Sequence, residues 1–131
     1  MHTISIPATA TTPAVEFDFA AGKLSLSGES WPENAAAFYR PLLAAVEDWA
    51  EQPQPAPAIL SIHVALSYFN SSSTKMLFGL FALLNGVAER QQPTELHWYY
   101  DAEDDVAEEF GQELSVDFPA IGVIFHPGEV G

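Results

Sequence analysis

From Ala14 the chain alternates strictly, with Val15, Phe17 and Phe19 on one face and Glu16 and Asp18 on the other. After Ala20-Ala21-Gly22 the alternation resumes, with Leu24 and Leu26 inward and Lys23, Ser25 and Ser27 outward. Two such runs around a short glycine-containing turn predict a β-hairpin with phenylalanines facing leucines. Residues 28–34 (GESWPEN) break the pattern, and Phe38, Tyr39, Leu42, Leu43, Val46, Trp49 and Ala50 then recur at helical spacing. Asn34 is placed to cap that helix. Pro41 lies inside it and removes one backbone hydrogen bond, which predicts a kink or a late regular start. The proline-rich stretch 52–57 (QPQPAP) is a connector that stops the helix.

A strand follows over 58–66, with Leu60, Ile62, Val64 and Leu66 opposed to Ser61, His63 and Ala65. Beyond residues 70–74 a second helix is expected to about Arg90, its middle (MLFGLFALL) apolar nearly all round. Residues 95–100 alternate again, Leu96, Trp98 and Tyr100 against Glu95, His97 and Tyr99. A short acidic helix over roughly 104–114 turns Val106, Ala107 and Phe110 inward, and a last strand is expected near 118–125. The order ββαβαβαβ implies right-handed crossovers and a mixed, mostly parallel sheet. Because the strands keep one polar face, the helices are expected on one side only, giving a two-layer α/β sandwich. Residues 1–12 are taken as a flexible N-terminal arm and 13–131 as a single domain.

Composition narrows the function. Eighteen acidic residues against four basic ones give a formal charge of −14, which repels phosphate backbones and anionic lipid, so neither nucleic acid nor membrane is an expected partner. There is no cysteine, which removes disulfides, thiolate metal sites and a cysteine nucleophile. The longest strongly apolar run, 76–84, is far short of the ~20 residues of a membrane span. The N-terminus lacks the positive patch and apolar stretch of a secretory signal. A cytoplasmic protein is the expectation.

Candidate chemistry is thin. His63, His97, Glu95 and Tyr99 share the open face if their strands are neighbours, which fits a two-histidine metal site, an acid–base pair, or merely exposed positions that tolerate histidine. No HExxH spacing supports the first reading. The acidic stretch 101–109 (DAEDDVAEE) lacks the central glycine of an EF-hand loop and suits a helix start instead. Without a glycine-rich phosphate loop or a GxSxG elbow, neither an enzyme nor a cofactor is expected. What stands out is Tyr68-Phe69-Asn70-Ser71-Ser72-Ser73-Thr74-Lys75-Met76, four hydroxyls in succession at a helix start. One capping residue satisfies the backbone there. The others are available to accept phosphate, which adds about −1.5 to −2 charges where the helix dipole favours them. Gly79 and Gly86 in the helix allow close packing, against the core or a partner.

The ordered signatures GESWPEN, then Tyr68-Phe69-Asn70-Ser71-Ser72-Ser73, then His97-Trp98-Tyr99-Tyr100-Asp101 resemble the SiaC family over about residues 12–125. That resemblance implies a fold like the anti-sigma-factor antagonists (STAS-like) and a bacterial regulatory phosphoprotein rather than an enzyme. It implies phosphorylation by a serine/threonine kinase, removal by a metal-dependent phosphatase, and activation of a diguanylate cyclase by the unphosphorylated form. The acceptor falls on Ser71, a serine where the family pattern has threonine, with Ser72 and Ser73 as neighbouring candidates. Tyr68, Phe69, Asn70, Ser72 and Ser73 would shape the switch loop, and Lys75, Met76 and Gly79 would meet the partner. An anti-sigma-antagonist-type switch with another target, or a metal or small-ligand binder on the open sheet face, are the alternatives.

Overall fold

The computed structural model describes residues 3–51, 58–90 and 92–128. The connector 52–57 and His2 therefore lie outside the described residues. Six strands and three helices follow the chain as β1 Thr3–Ile6, β2 Ala14–Asp18, β3 Lys23–Ser30, α1 Ala35–Glu51, β4 Leu60–Phe69, α2 Ser71–Glu89, β5 Thr94–Asp101, α3 Asp105–Asp117 and β6 Gly122–Gly128. The sheet order is sequential, β1-β2-β3-β4-β5-β6. Strands β1 to β3 pair antiparallel and β3 to β6 pair parallel. Three crossovers of one hand, all stepping the same way along the sheet, must leave every helix on the same face.

Burial follows that geometry. Val15, Phe17, Leu24, Leu26, Ile62, Val64, Leu96 and Trp98 are buried under the helices. Their neighbours Ser25, Ser61, His63, Ala65, Glu95, His97 and Tyr99 are only half-buried. In the β2–β3 hairpin Phe17 faces Leu24 and Val15 faces Leu26. Asn34 caps α1, its Oδ1 accepting from Ala37 N at 3.0 Å.

Several expectations need correction. The N-terminal stretch taken as an arm contains β1, whose Thr3–Ile6 pairs with Asp18–Val15 and extends the sheet by one strand. Of the two outcomes expected at Pro41, a late regular start does not occur, since α1 is already helical from Ala35; proline deletes one N–H from a helix long enough to hold without it. Helix α2 begins at Ser71, so the hydroxyl run forms its first turn rather than a loop before it. Helix α3 continues to Asp117, which delays β6, and Val106 is 70% exposed rather than inward. The all-round apolarity of α2 reflects its central place. Its Leu77, Leu80, Phe81 and Leu84 are in the core, while Phe78 packs edge-on to Phe110 of α3 at 5.1 Å. On its other side, a Cβ on Gly79 would meet Leu43 of α1 at 3.3 Å. Gly79 therefore lets α1 approach α2 closely.

Candidate functional site

At the end of β4 the pairing with β3 shifts. Gly28 faces Leu66, but Glu29 faces Tyr68 and Ser30 faces Phe69. The extra residue in β4 is a bulge, and a bulge reverses which side chains point inward beyond it. Gly28 takes φ +113 there, a left-handed conformation that glycine adopts without penalty. The consequence is local and large. Tyr68 turns out to solvent at 53% exposure, and Phe69 turns in against Trp98 (6.0 Å) and Phe110 (5.2 Å). The two aromatics expected to flank the loop together thus face opposite ways.

Asn70 follows in extended conformation and caps α2, its Oδ1 accepting from Ser73 N at 2.9 Å. Its own N–H donates to Ser30 O at 3.1 Å, and its carbonyl accepts from both Thr74 N and Thr74 Oγ1. Ser73 is fully buried, donating from Oγ to Ser30 O at 2.9 Å and accepting from Ser30 Oγ at 2.7 Å. Ser30 Oγ lies 2.6 Å from Tyr39 OH. Each hydroxyl has one proton. Since Ser30 gives its proton to Ser73, Tyr39 must be the donor to Ser30. The result is a directed chain, Tyr39 to Ser30 to Ser73 to the Ser30 carbonyl, tying α1, β3 and α2 together. Burial pushes the Tyr39 phenol up to about 12, against a smaller opposing effect of the Ser30 hydrogen bond, so it stays a donor.

Ser71 and Ser72, by contrast, are exposed at the first two helical positions. The loop hydroxyls are therefore of two kinds. Ser73 is a buried anchor and cannot accept a group from another protein as folded; Ser71 and Ser72 face solvent. Lys75 is exposed and, among the described residues, forms no ion pair. Met76 is half-buried and packs on the core. Among the described residues no histidine or carboxylate hydrogen-bonds Ser71 or Ser72. Nothing built into the site would activate them as nucleophiles. Beside the helix start, Phe69, Thr74, Val106, Phe110 and Val116 line a groove of about 640 Å³ rimmed by Glu109, Glu113 and Asp117.

The predicted open-face group also assembles. His63 and His97 are paired across β4 and β5 and their rings stack at 4.4 Å. Tyr99 OH meets His63 Nδ1 at 3.0 Å, and Glu95 Oε1 meets His97 Nε2 at 3.2 Å. Burial, the neighbouring His97, Lys23 and His126 lower the His63 pKa, with Glu95 opposing. The alternation in β4 and β5 does not point to His126, yet its Nε2 sits 2.9 Å from His97 Nδ1. Sequence reasoning also passed over Ser30 and Tyr39. A serine at an inward position of β3 was the one available signal for that chain.

The residues thus assemble a one-sided α/β domain with two exposed hydroxyls, Ser71 and Ser72, at the capped start of α2. The SiaC family regulatory phosphoprotein model matches residues 6–127, and the chain belongs to that family. It is 34% identical over 123 residues to the uncharacterized protein PA14_02130 of Pseudomonas aeruginosa (strain UCBPP-PA14), covering 90% of this chain and 94% of that one. Apo-SiaC from Pseudomonas aeruginosa is similar in structure, with TM-score 0.82 and 29% identity over 98% of this chain and 100% of that one. So is a chain in the crystal structure of the diguanylate cyclase SiaD in complex with its activator SiaC, also from Pseudomonas aeruginosa. There the TM-score is 0.84 at 29% identity, over 95% of this chain and 98% of that one. Among the described residues no helix is long and apolar enough to cross a membrane.

Proposed function

We propose that this protein is a phosphorylation-controlled binding switch, not an enzyme, in which Ser71 is the phosphoacceptor and the unphosphorylated form binds and activates a diguanylate cyclase. A cognate serine/threonine kinase would load the site and a metal-dependent phosphatase would clear it. The observation that carries the reading is the split among the loop serines: Ser71 is exposed at the first position of α2, while Ser73 is buried in hydrogen bonds. A dianion at Ser71 is stabilised by the helix N-terminus and by Lys75 nearby in sequence. It weakens partner binding because any surface that covers it must strip its water. Exposed Tyr68 and Lys75 flank the acceptor and supply the remaining contacts of the switch surface. The one-sided sandwich with its acceptor at the helix after a parallel strand supports a STAS-like classification, the architecture of partner-switching regulators.

The test combines modification with binding. Protein phosphorylated in its native cell should carry ~80 Da on a peptide containing Ser71, lost on phosphatase treatment and absent from Ser71→Ala. Ser71→Ala should bind and activate the cyclase constitutively, and Ser71→Asp should bind ~10-fold or more weakly, equivalent to about 1.4 kcal/mol. Equal affinities for the two variants, or phosphate found on Ser73, would remove the proposal. Full phosphocontrol without any cyclase binding would favour a switch acting on another target.

A further inference from the structure

The groove beside the start of α2, floored by Phe69 and Phe110, carries its charge on one side only. Glu109, Glu113 and Asp117 recur every four residues along α3 and form one acidic row. The wall from α2 is neutral, contributed by Thr74. Among the described residues that line the groove there is no lysine or arginine. Val106 and Val116, near the two ends of α3, are 70% and 77% exposed, so apolar surface continues past the groove itself. An apolar strip edged by charge marks a protein-docking surface; a small molecule in the groove would leave both valines wet. The groove also runs toward Ser71. By their three- and four-residue spacing Ser71, Thr74 and Phe78 share one side of α2. Phe78 packs on Phe110 and Thr74 lines the groove, so exposed Ser71 stands at its end.

We propose that this groove is the docking site for a basic amphipathic segment of the partner protein, with bulky apolar side chains over Phe69 and Phe110 and lysines or arginines along the acidic row. The inference names the chemistry of the switch's partner, and it rests on that reading for what Ser71 controls. Charge decides among the possible occupants. A second copy of this chain brings a charge of −14 and only four basic residues, so like charges would meet. Nucleic acid and anionic lipid are repelled by the same row. A basic segment is steered in by the row, and filling the apolar floor supplies its affinity. The unequal walls also account for the sign of the switch. The partner meets acids only on α3, so the surface it presents to the start of α2 is apolar. A dianion on Ser71 would be stripped of water against that surface rather than paired with a cation.

The experiment titrates the whole unphosphorylated protein with a synthetic amphipathic leucine–lysine peptide, followed by nuclear magnetic resonance and calorimetry. Two control peptides carry glutamate for lysine or serine for leucine. The leucine–lysine peptide should bind at a single site, shifting the amides of Phe69, Thr74, Phe110 and Val116 and leaving His63 and His97 unmoved. Each control peptide should bind at least ~10-fold more weakly. Val106→Ser/Val116→Ser and Glu109→Lys/Glu113→Lys should each weaken binding at least ~10-fold. Glu47→Lys/Glu51→Lys makes the same charge change on α1 and should stay within about threefold. All six substituted positions are exposed, and far-UV circular dichroism checks that each variant is folded. Equal losses from the two charge reversals, undiminished binding in the valine variant, or shifts confined to the open sheet face would overturn the proposal. So would self-association of the wild type that the valine variant abolishes, since a second copy would then fill the groove. Groove and switch fail separately. If the groove variants bind the peptide normally while Ser71→Asp and Ser71→Ala still differ toward the cyclase, the groove alone is removed. If the groove variants lose the peptide while the Ser71 variants bind the cyclase alike, the groove stands and the switch falls.

Discussion

The directed hydroxyl chain makes a prediction about which of its members is costly to remove. Tyr39→Phe deletes only the first donor. Ser30 keeps its own donation to Ser73, so the loss is one net hydrogen bond, about 1 kcal/mol. Ser30→Ala deletes the middle. Tyr39 OH, fully buried, then has a proton and no acceptor, which adds about 1–3 kcal/mol of desolvation to the lost bonds. Ser30→Ala should therefore cost about 3–5 kcal/mol, and adding Tyr39→Phe to it should recover about 1 kcal/mol or more by removing the orphaned hydroxyl. Urea unfolding with linear extrapolation measures all three, provided the m-values agree. The phenol supplies a second reading. Its folded pKa is raised from 10.0 to about 12, so its contribution is intact below pH 10 and is lost as pH rises toward 12. The wild type should thus lose stability in that window more than Tyr39→Phe does. The reasoning is refuted if the two single costs simply add in the double variant, or if Tyr39→Phe is the more damaging change.

Two glycines should respond oppositely to alanine. At Gly111 of α3 an added Cβ would lie 2.6 Å from Trp98 Cδ1 and 2.9 Å from Phe125 Cε1, and Trp98 is buried with Nε1 committed to Ala107 O. Gly111→Ala should cost about 1–3 kcal/mol by overpacking and perturb tryptophan fluorescence; unchanged stability would mean the ring can move. At Gly79 only the tip of Leu43 is near, at 3.3 Å. Gly79→Ala should be neutral or stabilising by up to ~1 kcal/mol, since alanine favours the helix, and a large loss by thermal melting would contradict that. Asn70→Ala removes the cap of α2 and should cost about 1 kcal/mol, with native-state hydrogen exchange faster at Ser73 and unaltered in β5.

The sheet was legible because its strands carry period-two patterning with one face wet. Leu24, Leu26, Ile62, Val64, Leu96 and Trp98 were assigned inward from alternation alone, and all are buried. What the sequence hid is non-local. Strand β1 is four residues of mixed character, and only its pairing with β2 makes it a strand. The inward turn of Phe69 follows from a bulge against β3, a register event that alternation within β4 alone cannot reveal. The bond between Ser30 and Ser73 spans 43 residues and that between His97 and His126 spans 29. Neither pair is a motif. The hydroxyl run at 71–74 was visible because capping needs one such residue and the chain provides four.

That surplus has a physical division of labour. A switch loop must hold still for a kinase and a partner, yet present a group free to be modified. Under the proposed function Ser73 and Thr74 would serve the first need, tying the start of α2 to Ser30 and Asn70, and Ser71 and Ser72 would be left for the second. Charge added at Ser71 would then meet a helix end held by Ser73, which is buried in the same turn and hydrogen-bonded to Ser30. On that proposal the energy of the dianion would be expressed toward whatever docks from outside rather than absorbed by local unfolding. An anchor broken at Ser30 should accordingly blunt the contrast between Ser71→Asp and Ser71→Ala in partner binding, even where both variants remain folded. Undiminished contrast in the Ser30→Ala background would show that the rigid anchor is not what transmits the charge.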